Sequence, residues 1–406
     1  MNVPDTSSQR QSESPGGQSG PLDSGGQSLS VTRRRRWFRL VALAGGLCAG
    51  LLLAELVLRV LNIEPQRFIT KRQLIDRSAD PPVYYHCYPG NPFQELEPLP
   101  EVSRGRWLLQ EFTFEGDELP LERLAETPWC VEYRHSSKGL RDREYPPRGP
   151  DDPERIAVVG DSFVFGEGVP ERLTLPRQLE GLLSGRVQFV NGGQVGSNAE
   201  QQQPILDALI REAGCRRVLW VLIPNDIPLT PALAQRQTYI NDFVLLRDRY
   251  LNDERVRGWG GMRPRLLDVV LTPFELSRIR QKTLEWYLAC ASPKENSENL
   301  SLLQSLMTAA AERRDAEVIL VLYPLLEGLE QNYPLQPVHD TFQRLAEEAK
   351  LPVFDLAQVF AGQNASGLQV DAADHHPNGT AHGIAARAII DWLRRELPAF
   401  LPEAAP

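Results

Sequence analysis

The chain has 406 residues, enough for one large domain or two ordinary ones, and 42% of them are hydrophobic, enough for a real core. Its formal net charge is −9 and no basic block lies outside Arg33–Arg36, which excludes a general nucleic-acid binder. The cysteines, Cys48, Cys87, Cys130, Cys215 and Cys290, show no CxxC spacing, and GxxxxGK, HExxH and GxGxxG are missing, so neither a metal nor a nucleotide cofactor is expected.

The first 32 residues or so are rich in Ser, Gly and Gln. Such a segment buries too little surface to offset its ordering entropy, so residues 1–36 read as a disordered arm ending in four arginines. Residues 37–61 read as a transmembrane anchor. Leu40–Leu61 is apolar except at Glu55 and Arg59, and a helix of that length reaches roughly 33 Å, enough to cross a bilayer core. Glu55 and Arg59 are spaced to pair on one helix face, and Arg59 can snorkel to the interface. The arginines favour the cytoplasm, which places the N-terminus inside and the rest of the chain in the periplasm or outside the cell. Two alternatives remain. A cleaved signal peptide would have an unusually long n-region and no well-placed small-x-small site, and a buried soluble helix would need a partner. Leu47 stands where a lipobox needs a small residue, so Cys48 is not a lipid attachment site.

Residues 62–134 show no strong period and carry many prolines, yet hold Tyr84, Tyr85, Tyr88, Phe93, Trp107, Phe112 and Phe114. Aromatics at that density argue against a pure linker, so a small irregular or β subdomain is expected, with Trp107–Phe114 as a strand. Cys87 and Cys130 are either a disulfide or two buried thiols. The lead-in His135-Ser-Ser-Lys-Gly-Leu-Arg-Asp142 follows, and Arg141 in it either contacts substrate or holds the lead-in by an ion pair.

From residue 135 to 402 apolar runs alternate with helical patterns. Expected strands are Arg155–Val159, Val187–Val190, Arg217–Ile223, Val318–Tyr323 and Val353–Leu356. Expected helices are Leu175–Leu183, Ala199–Ala213, Leu300–Arg313, His339–Ala349 and Gly379–Leu397. The alternation implies an α/β fold: a parallel five-stranded sheet in a flavodoxin-like three-layer α/β/α sandwich. Residues 227–298 interrupt it with Trp259, Trp286 and Tyr287 and much charge. A structureless loop of that length is improbable, so a helical insertion is expected, either a lid or a cover for the sheet edge.

Ligands of open α/β sheets bind beyond the carboxyl ends of the strands, and Gly160-Asp161-Ser162 ends the first strand there. Ser162 is then either a helix cap or a nucleophile. Asn191-Gly-Gly-Gln-Val-Gly-Ser-Asn198 follows the second strand, Pro224-Asn225-Asp226 the third, and Asp374-His-His-Pro-Asn378 precedes the last helix. In this order and placement the four blocks resemble those of the SGNH (GDSL-like) hydrolase superfamily. The resemblance runs from about Ser136 to Leu397 with a gap in the middle.

It implies that Ser162 is the nucleophile, His376 its base and Asp374 the carboxylate that sets the His376 tautomer. It also implies an oxyanion hole of the Ser162 N–H, the Gly196 N–H and the Asn225 amide. His376-Pro377-Asn378 matches the family's HPN; the competing register pairs Asp371 with His375. His382 is read as structural. The chain departs from the family at position 223, an Ile where a Gly is usual. The serine context is not Gly-x-Ser-x-Gly, so this is not an α/β-hydrolase elbow. The function so implied is a membrane-anchored serine esterase acting on acyl esters, acetyl foremost, of a glycan or lipid. The alternatives are a polysaccharide O-acetyltransferase with the same triad and a non-catalytic envelope or glycan-binding protein.

Overall fold

The computed structural model describes residues 25–61, 72–76, 83–88, 97–98, 107–109, 129–149, 152–184, 187–235, 264–371 and 374–402. The chain divides into two units, Met1–Pro65 with Pro264–Val270, and Gln66–Arg263 with Leu271–Pro406. In the first unit, helix α1 covers Gly25–Val60. Residues 1–24 of the expected arm lie outside the described ones; the helix starts at Gly25, so residues 25–36 are helical. A helix nucleated by the apolar segment extends outward at little cost per added residue. Between Arg33 and Val60 its most apolar window has a mean hydropathy of 2.2 and none of it is buried. Arg59 Nε donates to Glu55 Oε1 at 2.6 Å, the pairing their spacing implies. The Glu55 carboxylate also accepts the N–H groups of Arg265 (3.0 Å) and Leu266 (2.9 Å), and so caps the helix that begins at Arg265.

The second unit begins with an antiparallel sheet of β1 (Arg72–Asp76), β2 (Val83–Tyr88), β3 (Glu97–Pro98), β4 (Trp107–Leu109) and β5 (Trp129–Tyr133), ordered β3-β5-β2-β1-β4. The register sets Cys87 directly opposite Cys130. Of the expected strand Trp107–Phe114 only the first three residues are strand, and residues 110–114 lie outside the described ones. Val131 and Tyr133 of β5 are buried against Phe165, Val169 and Val370.

The sandwich then runs β6 (Glu154–Gly160), α2 (Ser162–Phe165), α3 (Leu175–Leu182), β7 (Val187–Gly193), α4 (Ala199–Glu212), β8 (Arg217–Leu222), α5 (Arg265–Cys290), α6 (Pro293–Ala311), β9 (Glu317–Leu322), α7 (Gln336–Ala349), β10 (Val353–Asp355), α8 (Ala357–Phe360), β11 (Gln369–Asp371), β12 (Asp374–Pro377) and α9 (Gly379–Glu396). Strands β6 to β10 form one parallel sheet ordered β10-β9-β8-β6-β7. Numbered along the chain that order is 2-1-3-4-5, the flavodoxin-like arrangement with its switch point between β6 and β8.

Beyond the charged residues at its start, each central strand is apolar because both of its faces are covered. Val218, Trp220 and Leu222 of β8 enter the core formed with α4, α6 and α7. Leu219 and Val221 enter the opposite core, with α3 and α9. The C-terminal part of α5 belongs to the first of these cores through Trp286, Ala289 and Cys290, and Trp286 Nε1 donates to Leu233 O at 3.0 Å. Of the two readings of the insertion, this half of α5 follows the structural cover; Trp259 lies outside the described residues.

Gly193 closes β7 against α2. A Cβ there would collide with the backbone N of Phe165 and come within 2.5 Å of its Cα, so only glycine lets the two segments meet. Gly181 in α3 has open space around it. Gly193→Ala is expected to destabilise the fold by about 1–3 kcal/mol. Gly181→Ala is expected to stabilise it by up to about 1 kcal/mol. Thermal unfolding of the two variants should show shifts of opposite sign.

Candidate active site

Ser162 stands at the carboxyl end of β6, on the first residue of α2. Asp161 caps that helix, its Oδ1 accepting the Phe163 N–H at 2.9 Å. The Ser162 hydroxyl has two acceptors in reach: His376 Nε2 at 2.8 Å and Asp161 Oδ2 at 3.2 Å. Ser162 is therefore not the cap; its neighbour takes that role and leaves the hydroxyl to the histidine.

His376 arrives on β12, which pairs antiparallel with β11. Asn378 explains why an asparagine closes the His-Pro-Asn stretch. Its Oδ1 caps α9 by accepting Thr380 N (3.0 Å) and Ala381 N (3.1 Å). Its Nδ2 donates to Gly367 O (3.0 Å) and Gln369 O (3.1 Å), tying the last helix to the ribbon that carries His376. His375 Nδ1 instead meets the Glu327 carboxylate, so of the adjacent histidines His376 is the one brought to Ser162. Asp374 and Asp371 face each other across the ribbon in register. Their side chains lie outside the described residues.

Asn225 sits on the single turn Pro224–Asp226 after β8. Its Oδ1 is buried and bonded to no other described residue. The turn is held from beneath: Trp220 Nε1 donates to Gln202 Oε1 (2.8 Å), Gln202 Nε2 to Asp226 Oδ1 (2.9 Å), and Ile223 N to Asp226 Oδ2 (2.7 Å). Ile223 precedes the turn with its own side chain buried in the sheet core. Gly196 is exposed in the turn after β7, with φ +73°.

A residue to which the sequence reading gave no role joins the site. Glu167 is 5% exposed, and its Oε2 lies 3.3 Å from His376 Nε2. The N–H groups of Gly166 and Glu167 both donate to Ser162 O, at 2.9 and 3.1 Å. Gly166 permits this with φ +79°, where a Cβ would strike Thr174. The only sequence signal was the Gly-Glu-Gly following the serine block.

Arg141 is the loop's clamp. Its guanidinium donates to Phe165 O (2.9 Å), Gly166 O and Val169 O (2.6 Å), and it lies over the Tyr133 ring at 4.2 Å. It therefore acts on backbone carbonyls behind the serine. His382 is fully buried and its pKa is pushed down to about 3, chiefly by burial, so it is neutral and structural.

Burial raises Asp161 to about 6, against the opposing pull of the Phe163 N–H and His376. Burial and the Asp161 charge push Asp226 well above the usual carboxylate range. A carboxyl whose pKa is higher in the folded state binds protons there that the unfolded chain has released. It lowers stability as pH rises from about 4 through about 6. Asp161→Asn removes that penalty and keeps an oxygen for the Phe163 N–H. Relative to the native protein, the variant's Tm should therefore rise as pH goes from 4 to 7, measured by thermal unfolding at a series of pH values.

No family model matches the chain, and no curated protein matches it. Solved structures do. A lipase/acylhydrolase from Enterococcus faecalis is 14% identical, with a TM-score of 0.34, over 62% of this chain and 100% of that one. A member of the lipolytic protein G-D-S-L family from Veillonella parvula is 15% identical, with a TM-score of 0.34, over 60% and 99%. A two-domain esterase active on acetylated mannans is 14% identical, with a TM-score of 0.34, over 62% of this chain and 52% of that one. At these values the reading of the site rests on its own residues.

Proposed function

We propose that the chain is a membrane-anchored serine esterase of the SGNH type that cleaves acyl esters, acetyl foremost, of a glycan or lipid. The observation that carries this reading is the 2.8 Å bond between Ser162 Oγ and His376 Nε2 at the carboxyl end of a parallel strand. A serine hydroxyl is a weak nucleophile until a base takes its proton, and an imidazole nitrogen within hydrogen-bond reach can be that base.

As Oγ bonds to the ester carbonyl carbon, its proton passes to Nε2. The tetrahedral intermediate then expels the alcohol, which leaves with that proton, and an acyl-serine remains. Water repeats the cycle and releases the acid. Asp374, two residues before His376, is assigned the task of fixing the imidazole tautomer. The oxyanion falls to the Ser162 and Gly196 N–H groups and the Asn225 side-chain N–H. The uncovered apolar helix Arg33–Val60 supports the anchor, with the arginines on the cytoplasmic side.

The full-length protein in detergent is expected to be labelled at Ser162 by an organophosphonate, and Ser162→Ala to abolish the label. Asn225→Ala should cost about 10²-fold in kcat, as for a single oxyanion donor. Asp374→Asn should lower kcat strongly while Asp371→Asn does not; the reverse result would move the orienting carboxylate to Asp371. A folded protein neither labelled nor active on any acyl ester would sink the enzyme reading. Separately, a reporter fused to the C-terminus should be active outside the cytoplasm; activity only inside would reverse the orientation.

A further inference from the structure

We propose that Glu167 binds a second hydroxyl of the alcohol half of the ester, next to the esterified oxygen, and so selects sugars and other polyols over simple alkyl or aryl alcohols. The inference rests on the serine-esterase reading and deepens it.

Glu167 meets the wrong nitrogen to be the orienting carboxylate. That group must accept from Nδ1, whereas Glu167 Oε2 lies 3.3 Å from Nε2. Nε2 is the nitrogen through which every reacting oxygen exchanges its proton. It takes the proton of Ser162 Oγ as the Oγ–carbon bond forms, and returns it to the alcohol oxygen as the ester C–O bond breaks. The departing oxygen must therefore come to Nε2, and once there it is beside Oε2. A hydroxyl on the neighbouring carbon then donates to Glu167. An alkyl or aryl alcohol presents only C–H to a carboxylate that is 5% exposed, and an acceptor so covered discriminates against a group that cannot donate.

The placement is preorganised rather than incidental. The Glu167 N–H donates to Ser162 O at 3.1 Å, and the next N–H, of Gly168, to the Tyr133 hydroxyl at 2.8 Å. On either side Arg141 holds Gly166 O and Val169 O. The loop that bears Glu167 is thus built from the same residue as the nucleophile, and carboxylate and hydroxyl keep a set separation. A carboxylate has room for several donors, so an approach to His376 does not exhaust it.

The test uses the full-length protein and two monoacetates of a methyl glycoside, one with a free hydroxyl beside the acetate and one with that hydroxyl replaced by hydrogen. In the native protein, loss of the hydroxyl should lower kcat/KM about tenfold or more, the size of a bond to a charged group. In Glu167→Gln the gap between the two esters should shrink to about twofold, since a coupled pair loses its interaction once. Equal rates on both esters in the native protein, or an undiminished gap in the variant, would overturn the proposal. A purely structural Glu167 would slow both esters alike. If Glu167→Gln fails to fold, the native pair of esters and Glu167→Asp still decide. Hydrolysis of 4-nitrophenyl acetate separates the two levels. If the native protein cleaves it and Ser162→Ala does not, a failed sugar comparison overturns the Glu167 assignment alone. If the native protein neither cleaves it nor is labelled at Ser162, both readings fall.

Discussion

The arrangement depends on one buried cation. Arg141 is 1% exposed, and removing a guanidinium from water costs several kcal/mol unless its donors are met. Here three carbonyls of a single loop meet it, with the Tyr133 ring beneath. Charge-assisted bonds of this kind are stronger than neutral ones, and the ring face adds about 1–2 kcal/mol in a desolvated setting. The loop so held begins immediately after α2. The antiparallel sheet supplies the ring, the lead-in supplies the cation, and the sandwich supplies the loop. Three segments that share no period in the sequence therefore converge on the backbone behind Ser162.

Asp142, next in the chain, extends the same logic. Its carboxylate meets Arg177 of α3 and accepts the Asn191 N–H of β7 at 2.7 Å and the Tyr145 hydroxyl at 2.9 Å. One dipeptide thus fixes the loop after Ser162 and the strand that leads to Gly196. A motif read as a family signature has a plain physical role, which is to lock the register between the first two blocks.

What was legible follows from periodicity. The five parallel strands were readable as continuous apolar runs because both sheet faces are covered, and their ends fell within a few residues of the runs. Ser162 and His376 were readable because their blocks sit at strand and helix ends. The sheet β1–β5 was only dimly visible, since its strands are short and interrupted by prolines. The β11–β12 ribbon was not read as strand at all; three- and four-residue strands carry no usable alternation. Arg141 and Glu167 escaped for another reason. Their roles lie in contacts to backbone or to a residue more than two hundred positions away, and neither leaves a pattern in the local sequence.

The charges around Ser162 complete the picture. In the proposed reaction the site must accept a new negative charge on the former carbonyl oxygen, yet Asp161, Asp226 and Glu167 all lie close by. If all three were ionised in a medium of low dielectric, they would oppose that charge. Burial works against this in two of them. It raises Asp161 to about 6 and, together with the Asp161 charge, pushes Asp226 well above the usual range. Asp226 thus leans toward its neutral form and holds the turn of Asn225 through hydrogen bonds more than through charge. Glu167 lies instead against His376, the group that becomes a cation as the oxyanion forms. The fold therefore separates its carboxyls by task, with a neutral Asp226 beneath the Asn225 turn and Glu167 beside His376.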